Sequence, residues 1–402
     1  MTPWRTSPYH LHWLLQQADR LFDTFQYASL NPAGGFFDLY DDGRPIGTVR
    51  QLHATTRMVH CFAIAHLLGR PGAAAVVDHG MDYIWRAHRD AKHGGYFWSL
   101  DDSRVIDDSK QAYGHAFVLL AASSAKCIGH PLADKVIEDV TEVLEQRFWE
   151  ADPGVTSEEY GRDWSKLSDY RGQNSNMHLT EALMAAFEAT GEREYLRKAG
   201  SIAAFIIGKH AAALDYRVAE HFNVNWALDN DYRGSEIFRP AGSTPGHWLE
   251  WARLLLQLWE LGGRQEAWLP GAAERLFRNA VTLGWDHERG GFFYTLEWDN
   301  RPRLRQKLWW PAAEGIGAAH WLAVHTGNPS FEDWYRRIWG FSATHFIDHA
   351  HGGWFPELGE DLKPKRGFFT GKPDIYHALQ ACLIPLYPTA GSLTKVIAAK
   401  GA

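Results

Sequence analysis

Only three cysteines, Cys61, Cys127 and Cys382, occur in the 402-residue chain, and none stands in a Cys-x-x-Cys pair. That excludes a disulfide framework and a thiolate zinc site, and the apolar text around each cysteine predicts a buried thiol. No basic run stands out and the net charge is −7, so no nucleic-acid partner is expected. No stretch of about 18 apolar residues exists, so no membrane-spanning helix and no membrane partner are expected. The opening MTPWRTSPYHLHWL has no basic segment followed by an apolar one and does not read as a secretion signal. A cytoplasmic protein is the expectation. The chain also lacks a His-Glu-x-x-His pair and a glycine-rich phosphate loop.

What is abundant is aromatic: 19 Trp, 21 Phe and 15 Tyr in a chain that is 45% hydrophobic and 22% charged. This is the composition of a folded globular chain. Aromatic side chains stack on sugars, but they are equally good core material.

A pattern recurs along the chain. GGFFDLYDDGRP begins at Gly34, GGYFWSLDDSRV at Gly94, GGFFYTLEWDNRP at Gly290 and GGWFPELGEDLKP at Gly352. Each reads as a short β-hairpin. Weaker copies lie near Gly154 and Phe222, giving six hairpins at a spacing of about 60 to 70 residues, a repeat signature. An amphipathic helix precedes each hairpin, over 9–28, 75–89, 132–149, 192–210, 271–283 and 331–346. A helix apolar nearly all round follows each, over 56–68, 110–125, 176–189, 245–261, 311–324 and 374–384. Six outer and six inner helices predict an all-α fold, an (α/α)6 barrel of twelve helices with short hairpins between repeats, as one domain over 1–402. An open solenoid is the alternative.

In such a barrel the six inner helices run the same way, so their N-termini meet at one mouth. Gathered there are Arg57, Tyr113, His115, Asn174, Asn176, His178, His247, Glu250, Trp310, Glu314, Lys372, Asp374 and His377. Some have plain structural readings: Asn176 and Asp374 as helix caps, His115 as a core histidine. Three histidines at equivalent places in separate repeats, His178, His247 and His377, point instead to a shared task. The converging helix N-termini favour developing negative charge.

The segments NSNMHLTEA, RPAGSTPGHWLEWARL, LWWPAAEGIG and GKPDIYHALQ resemble the N-acylglucosamine 2-epimerase superfamily, and within it the branch of D-mannose and sulfoquinovose isomerases. The likeness runs over nearly the whole chain. It implies an (α/α)6 barrel that turns over a monosaccharide without metal or other cofactor, as a monomer or homo-oligomer. It also implies that His247 and His377 form the acid/base pair, with His178 and Glu250 in support. Arg57, Tyr113, Asn174, Trp310 and Glu314 would line the sugar pocket, which Lys372 and Asp374 help to shape.

Aldose–ketose isomerisation needs a base to take the proton α to the carbonyl, and histidine has a suitable pKa with little tuning. Mannose–fructose interconversion through a cis-enediol is the expected reaction. Sulfoquinovose isomerisation, with an anion site built from Arg57, Arg239, Lys372 or the run KPKR at 363–366, and 2-epimerisation are the near alternatives. More distant ones are a metal enzyme using the histidines with Glu250, a glycoside hydrolase using Glu250 and Glu314, and a non-catalytic sugar binder.

Overall fold

The computed structural model describes residues 2–401. Its helices are α1 (Pro8–Phe25), α2 (Leu52–Leu67), α3 (Ala73–Tyr83), α4 (Ala112–Cys127), α5 (Ala133–Val143), α6 (Gln173–Thr190), α7 (Arg193–Ala203), α8 (Pro245–Leu261), α9 (Trp268–Asn279), α10 (Trp309–Thr326), α11 (Pro329–His345), α12 (Tyr376–Leu383) and α13 (Leu393–Gly401). The odd-numbered helices α1 to α11 are the outer set. Their alternation of apolar and charged residues leaves one face in solvent, as on α5, where Ala133, Val136, Ile137 and Val140 are buried. The even-numbered helices are the inner set, buried on nearly every side; on α8 the first fourteen residues, Pro245 to Leu258, are all buried. Four outer helices, α3, α5, α7 and α9, run into a π-helical turn at their C-terminal end.

Each inner helix packs against the next, from α2 through α4, α6, α8 and α10 to α12, and α12 returns to α2. The backbone closes a second ring at the mouth. The residues before each inner helix pair with the hairpin of the following repeat: 50–51 with 99–100, 110–111 with 159–160, 171–172 with 221–222, and 307–308 with 357–358. Single bridges supply the remaining two steps, Ser243 with Leu296 and Lys372 with Leu39. The last links the sixth repeat to the first, so the solenoid closes and the (α/α)6 barrel is realised.

The hairpins carry a repeated anchor. In Asp-x-x-x-Gly-Gly the aspartate accepts backbone N–H groups of its own turn, and its other oxygen takes the ammonium of a buried lysine before the inner helix. The pairs are Lys110–Asp90 at 3.2 Å, Lys307–Asp286 at 2.9 Å and Lys372–Asp348 at 2.8 Å. Each lysine also lies over a hairpin phenylalanine, Phe97, Phe293 or Phe355.

Two expectations need adjusting. A thirteenth helix, α13, closes the end opposite the hairpins by packing on α2 and α4; its apolar residues Leu393, Val396 and Ile397 are buried. Of the three unpaired cysteines, Cys61 and Cys382 are buried but Cys127 is half-buried. No helix among the described residues is long and apolar enough to cross a membrane.

Candidate active site

A cavity of about 230 Å³ opens where the inner-helix N-termini converge. Every inner helix contributes: α2 gives His53 and Arg57, α4 Tyr113, α6 Asn174 and His178, α8 His247 and Glu250, α10 Trp309 and Trp310, and α12 His377, with Asp374 just before it. Nine of the eleven residues expected at the site therefore share one cavity. Glu314 and Lys372 do not line it.

His247 on α8 and His377 on α12 are held alike. His247 Nδ1 lies 2.9 and 3.0 Å from the Glu220 carboxylate oxygens. His377 Nδ1 lies 2.8 Å from Glu314 Oε1. Each carboxylate accepts the Nδ1 proton, which fixes the tautomer and leaves Nε2 on the cavity side as the free base. Trp310 lies against both rings, with centroids 5.0 Å from His247 and 5.9 Å from His377.

The supports behind the two differ. Glu220 also accepts from Thr244 N at 3.1 Å and from Gln173 Nε2 at 2.8 Å. The Gln173 amide is oriented by Trp251, whose indole N–H donates to Gln173 Oε1 at 2.7 Å. Burial would raise the Glu220 carboxyl, but His247 and these donors hold it below the usual range. Glu314 is gripped by a cation: Arg253 Nε donates to its Oε2 at 2.9 Å. Burial opposes ionisation of Glu314 too, yet Arg253 and His377 hold it well down. Burial lowers the His377 pKa, and its bond to Glu314 only partly offsets this.

Deeper in the barrel, Arg253 stands among three carboxylates, Glu314, Glu181 and Glu250, at 2.9, 3.3 and 3.8 Å. Tyr376 donates its hydroxyl proton to Glu181. One guanidinium does not balance three buried carboxylates, so one of them keeps its proton. Burial and Glu314 push Glu250 well above the ordinary carboxylate range, which makes it the proton holder. His178 Nδ1 lies 3.7 Å from Glu250 Oε1, and neither atom has a hydrogen-bond partner. Burial, then Arg57, keeps His178 neutral. Arg57 itself donates to Asp374 Oδ2 at 3.1 Å and to the Tyr113 hydroxyl at 3.0 Å.

Two groups of side chains, His178 with Glu181 and Glu250, and Glu250 with Glu314 and His377, place possible metal-ligand atoms within 4.8 Å. Arg253 already occupies those carboxylates, and His377 Nδ1 is committed to Glu314. The donor set is balanced by a guanidinium and does not fit a divalent cation.

Several sequence expectations are corrected here. Lys372 is the third copy of the hairpin anchor, bound to Asp348 and to the Gly352 and Asp41 carbonyls, so it has no proton free for a substrate. Glu314 does not line the cavity and holds His377 from behind. Glu250 does not orient His247, although the two share a helix face; it faces His178. His115, by contrast, is the satisfied core residue expected, bonded to Gln111 O and accepting from Tyr96 N. Asn176 fastens α6 to Thr156 and Gly172. Arg239 pairs with Glu159 at 2.7 Å, and Arg366 pairs with Asp41 at 2.9 Å, both away from the cavity. Sequence reasoning missed Glu220, Gln173 and Arg253, which position the histidines, and Asp38, Phe238 and Phe368, which line the cavity. Glu220 lies two residues before Phe222, in the weaker hairpin copy, and that hairpin position was the available signal.

Residues 34–381 match the family described as N-acylglucosamine 2-epimerase (GlcNAc 2-epimerase). The chain belongs to the N-acylglucosamine 2-epimerase family. Within this family it is similar to the D-mannose isomerase of Pseudomonas cannabina pv. alisalensis, 44% identical over 98% of this chain and 97% of that one. It is 42% identical to the D-mannose isomerase of Thermobifida fusca, with 100% of both chains covered. A crystal structure of a D-mannose isomerase superposes with a TM-score of 0.89 at 34% identity, covering 95% of this chain and 99% of that one. The family's fold and this barrel thus agree over nearly the whole length.

Proposed function

We propose that this chain is an aldose–ketose isomerase that interconverts D-mannose and D-fructose, the whole chain serving as one catalytic domain. The observation that carries the reading is the pair of histidine–glutamate dyads flanking Trp310 with both Nε2 atoms open to one cavity. The relatives named as D-mannose isomerases over their full length support the choice of sugar.

In this account His377, kept neutral by burial, takes the proton from C2 of the open-chain aldose. The electron pair moves into a C1–C2 double bond and the carbonyl oxygen becomes the enediolate oxygen. His377 then returns the proton to C1, while the C2 hydroxyl proton passes to O1, so the balance closes without redox chemistry. His247, held by Glu220, serves the oxygens: it opens the ring and carries the hydroxyl proton. The enediolate charge is met by Arg57 and by the converging helix N-termini. Glu250 and His178 line the same cavity, where their side chains meet sugar hydroxyls.

The same enediolate, reprotonated at C2 from the opposite face, gives 2-epimerisation, which the family description favours as a second reading. Glycoside hydrolysis is not supported, because Glu314 is spent on His377 and Arg253 and does not oppose Glu250 across a sugar. Incubation with mannose in D₂O separates the first two. Fructose carrying deuterium at C1 is the expected product; glucose with deuterium at C2 identifies an epimerase, and no exchange overturns both.

A further inference from the structure

One ionisable group on the cavity wall has no part in the chemistry above. Asp38 lies in the hairpin of the first repeat, and its strand is held on both sides. Asp38 pairs with Ile46 within the hairpin, and Leu39 exchanges backbone hydrogen bonds of 3.0 and 2.7 Å with Lys372. The approach is so close that a Cβ at Gly371 would stand 2.1 Å from Leu39 O, so this wall is rigidly seated. From it the Asp38 side chain faces the cavity without an ion pair or a hydrogen bond, beside Asp374.

The charges around it are one-sided. Arg57 is the only arginine or lysine among the described residues lining the cavity, and it already shares its charge with Asp374 and donates to Tyr113. Burial, helped by Arg57, holds the neighbouring His53 down at about 3, so it is neutral. Of the cations considered for an anion site, Arg57 alone lines the cavity; Arg239, Lys372 and Arg366 lie elsewhere and are paired, and Lys363 and Lys365 do not line it. Burial and Asp374 push the Asp38 carboxyl up to about 7. A carboxylic acid beside another carboxylate can relieve the repulsion by taking up a proton; a sulfonate cannot, and a phosphate monoester keeps at least one charge.

We propose that Asp38 is a specificity-determining residue that keeps this pocket for neutral aldoses and rejects those bearing a phosphate or sulfonate. It accepts hydrogen bonds from sugar hydroxyls and repels an added anion. This rests on the isomerase reading given above.

The test is steady-state turnover at pH 8, where Asp38 is ionised, of mannose, mannose 6-phosphate and sulfoquinovose. The expected wild-type result is turnover of mannose with little or none of either anionic sugar. Asp38→Asn and Asp38→Ser remove the charge at a side chain that holds no structural hydrogen bond. In each, the ratio of kcat/KM for mannose to kcat/KM for the anionic sugars is expected to fall at least tenfold. A ratio unchanged or higher in both variants overturns the proposal, as does wild-type enzyme that turns over an anionic sugar as well as mannose. A gain for one anion alone identifies which group Asp38 excludes. Failure of the wild type on mannose itself would instead overturn the isomerase reading.

Discussion

His247 and His377 meet the cavity in the same way but draw on different support, and single substitutions should separate them. Replacing either with alanine removes a positioned acid–base group worth about 10²–10⁴-fold, so kcat should fall by at least that much with the fold intact; kcat with circular dichroism checks this. Glu220→Gln keeps the shape and removes the charge behind His247. The expected result is a kcat loss of about 10–100-fold with KM little changed. The pH dependence follows from His377. Burial lowers its pKa, so the neutral, proton-accepting form persists below the ordinary histidine value of about 6.5. Its contribution to turnover should therefore hold as pH falls through 6.5 and drop only at lower pH, which a kcat profile at saturating mannose would reveal. The histidines, Trp310 and Arg57 were legible in the sequence because each falls in the first turns of an inner helix. Glu220 and Asp38 were not, because they reach the cavity from hairpins, whose pairing with the next repeat no local pattern displays.

At the level of elements, the stretch GSTPGHWLEWARLLL shows what helical spacing can and cannot say. His247 and Glu250 do share a face of α8, and both line the cavity. Their partners come from other repeats, Glu220 for one and His178 for the other. Arg253, one further turn along the same helix, is the cation that pairs with the buried carboxylates, a role its spacing does not display. The repeated lysine–aspartate anchor explains the misreading of Lys372. In isolation it looked like a cation beside a sugar site; beside Lys110 and Lys307 it is a structural part of the repeat. Removing one member leaves a buried charge unpaired, at a cost of about 3–5 kcal/mol. Asp286→Ala should lower stability by that amount, measured by urea unfolding, although Asp286 lies outside the cavity.

For the molecule as a whole, six repeats were countable from Gly-Gly-aromatic spacing, and the closure they implied is realised by the Lys372–Leu39 bridge. Helix α13 escaped the repeat count because it belongs to no repeat. It covers the far end of the barrel with Leu393, Val396 and Ile397, each side chain worth about 1.5–3 kcal/mol when fully buried. Truncation before residue 389 should therefore cost several kcal/mol and lower the unfolding midpoint, while the mouth residues keep their places. The central claim, that a carbon-bound proton is moved by the His377–Glu314 dyad in a closed barrel, is tested most directly by proton NMR of mannose in D₂O with the wild type and His377→Asn. The prediction is loss of the H2 signal and growth of C1-deuterated fructose with the wild type, and neither with the folded variant. Continued exchange at C2 in the variant, or none in the wild type, would contradict it.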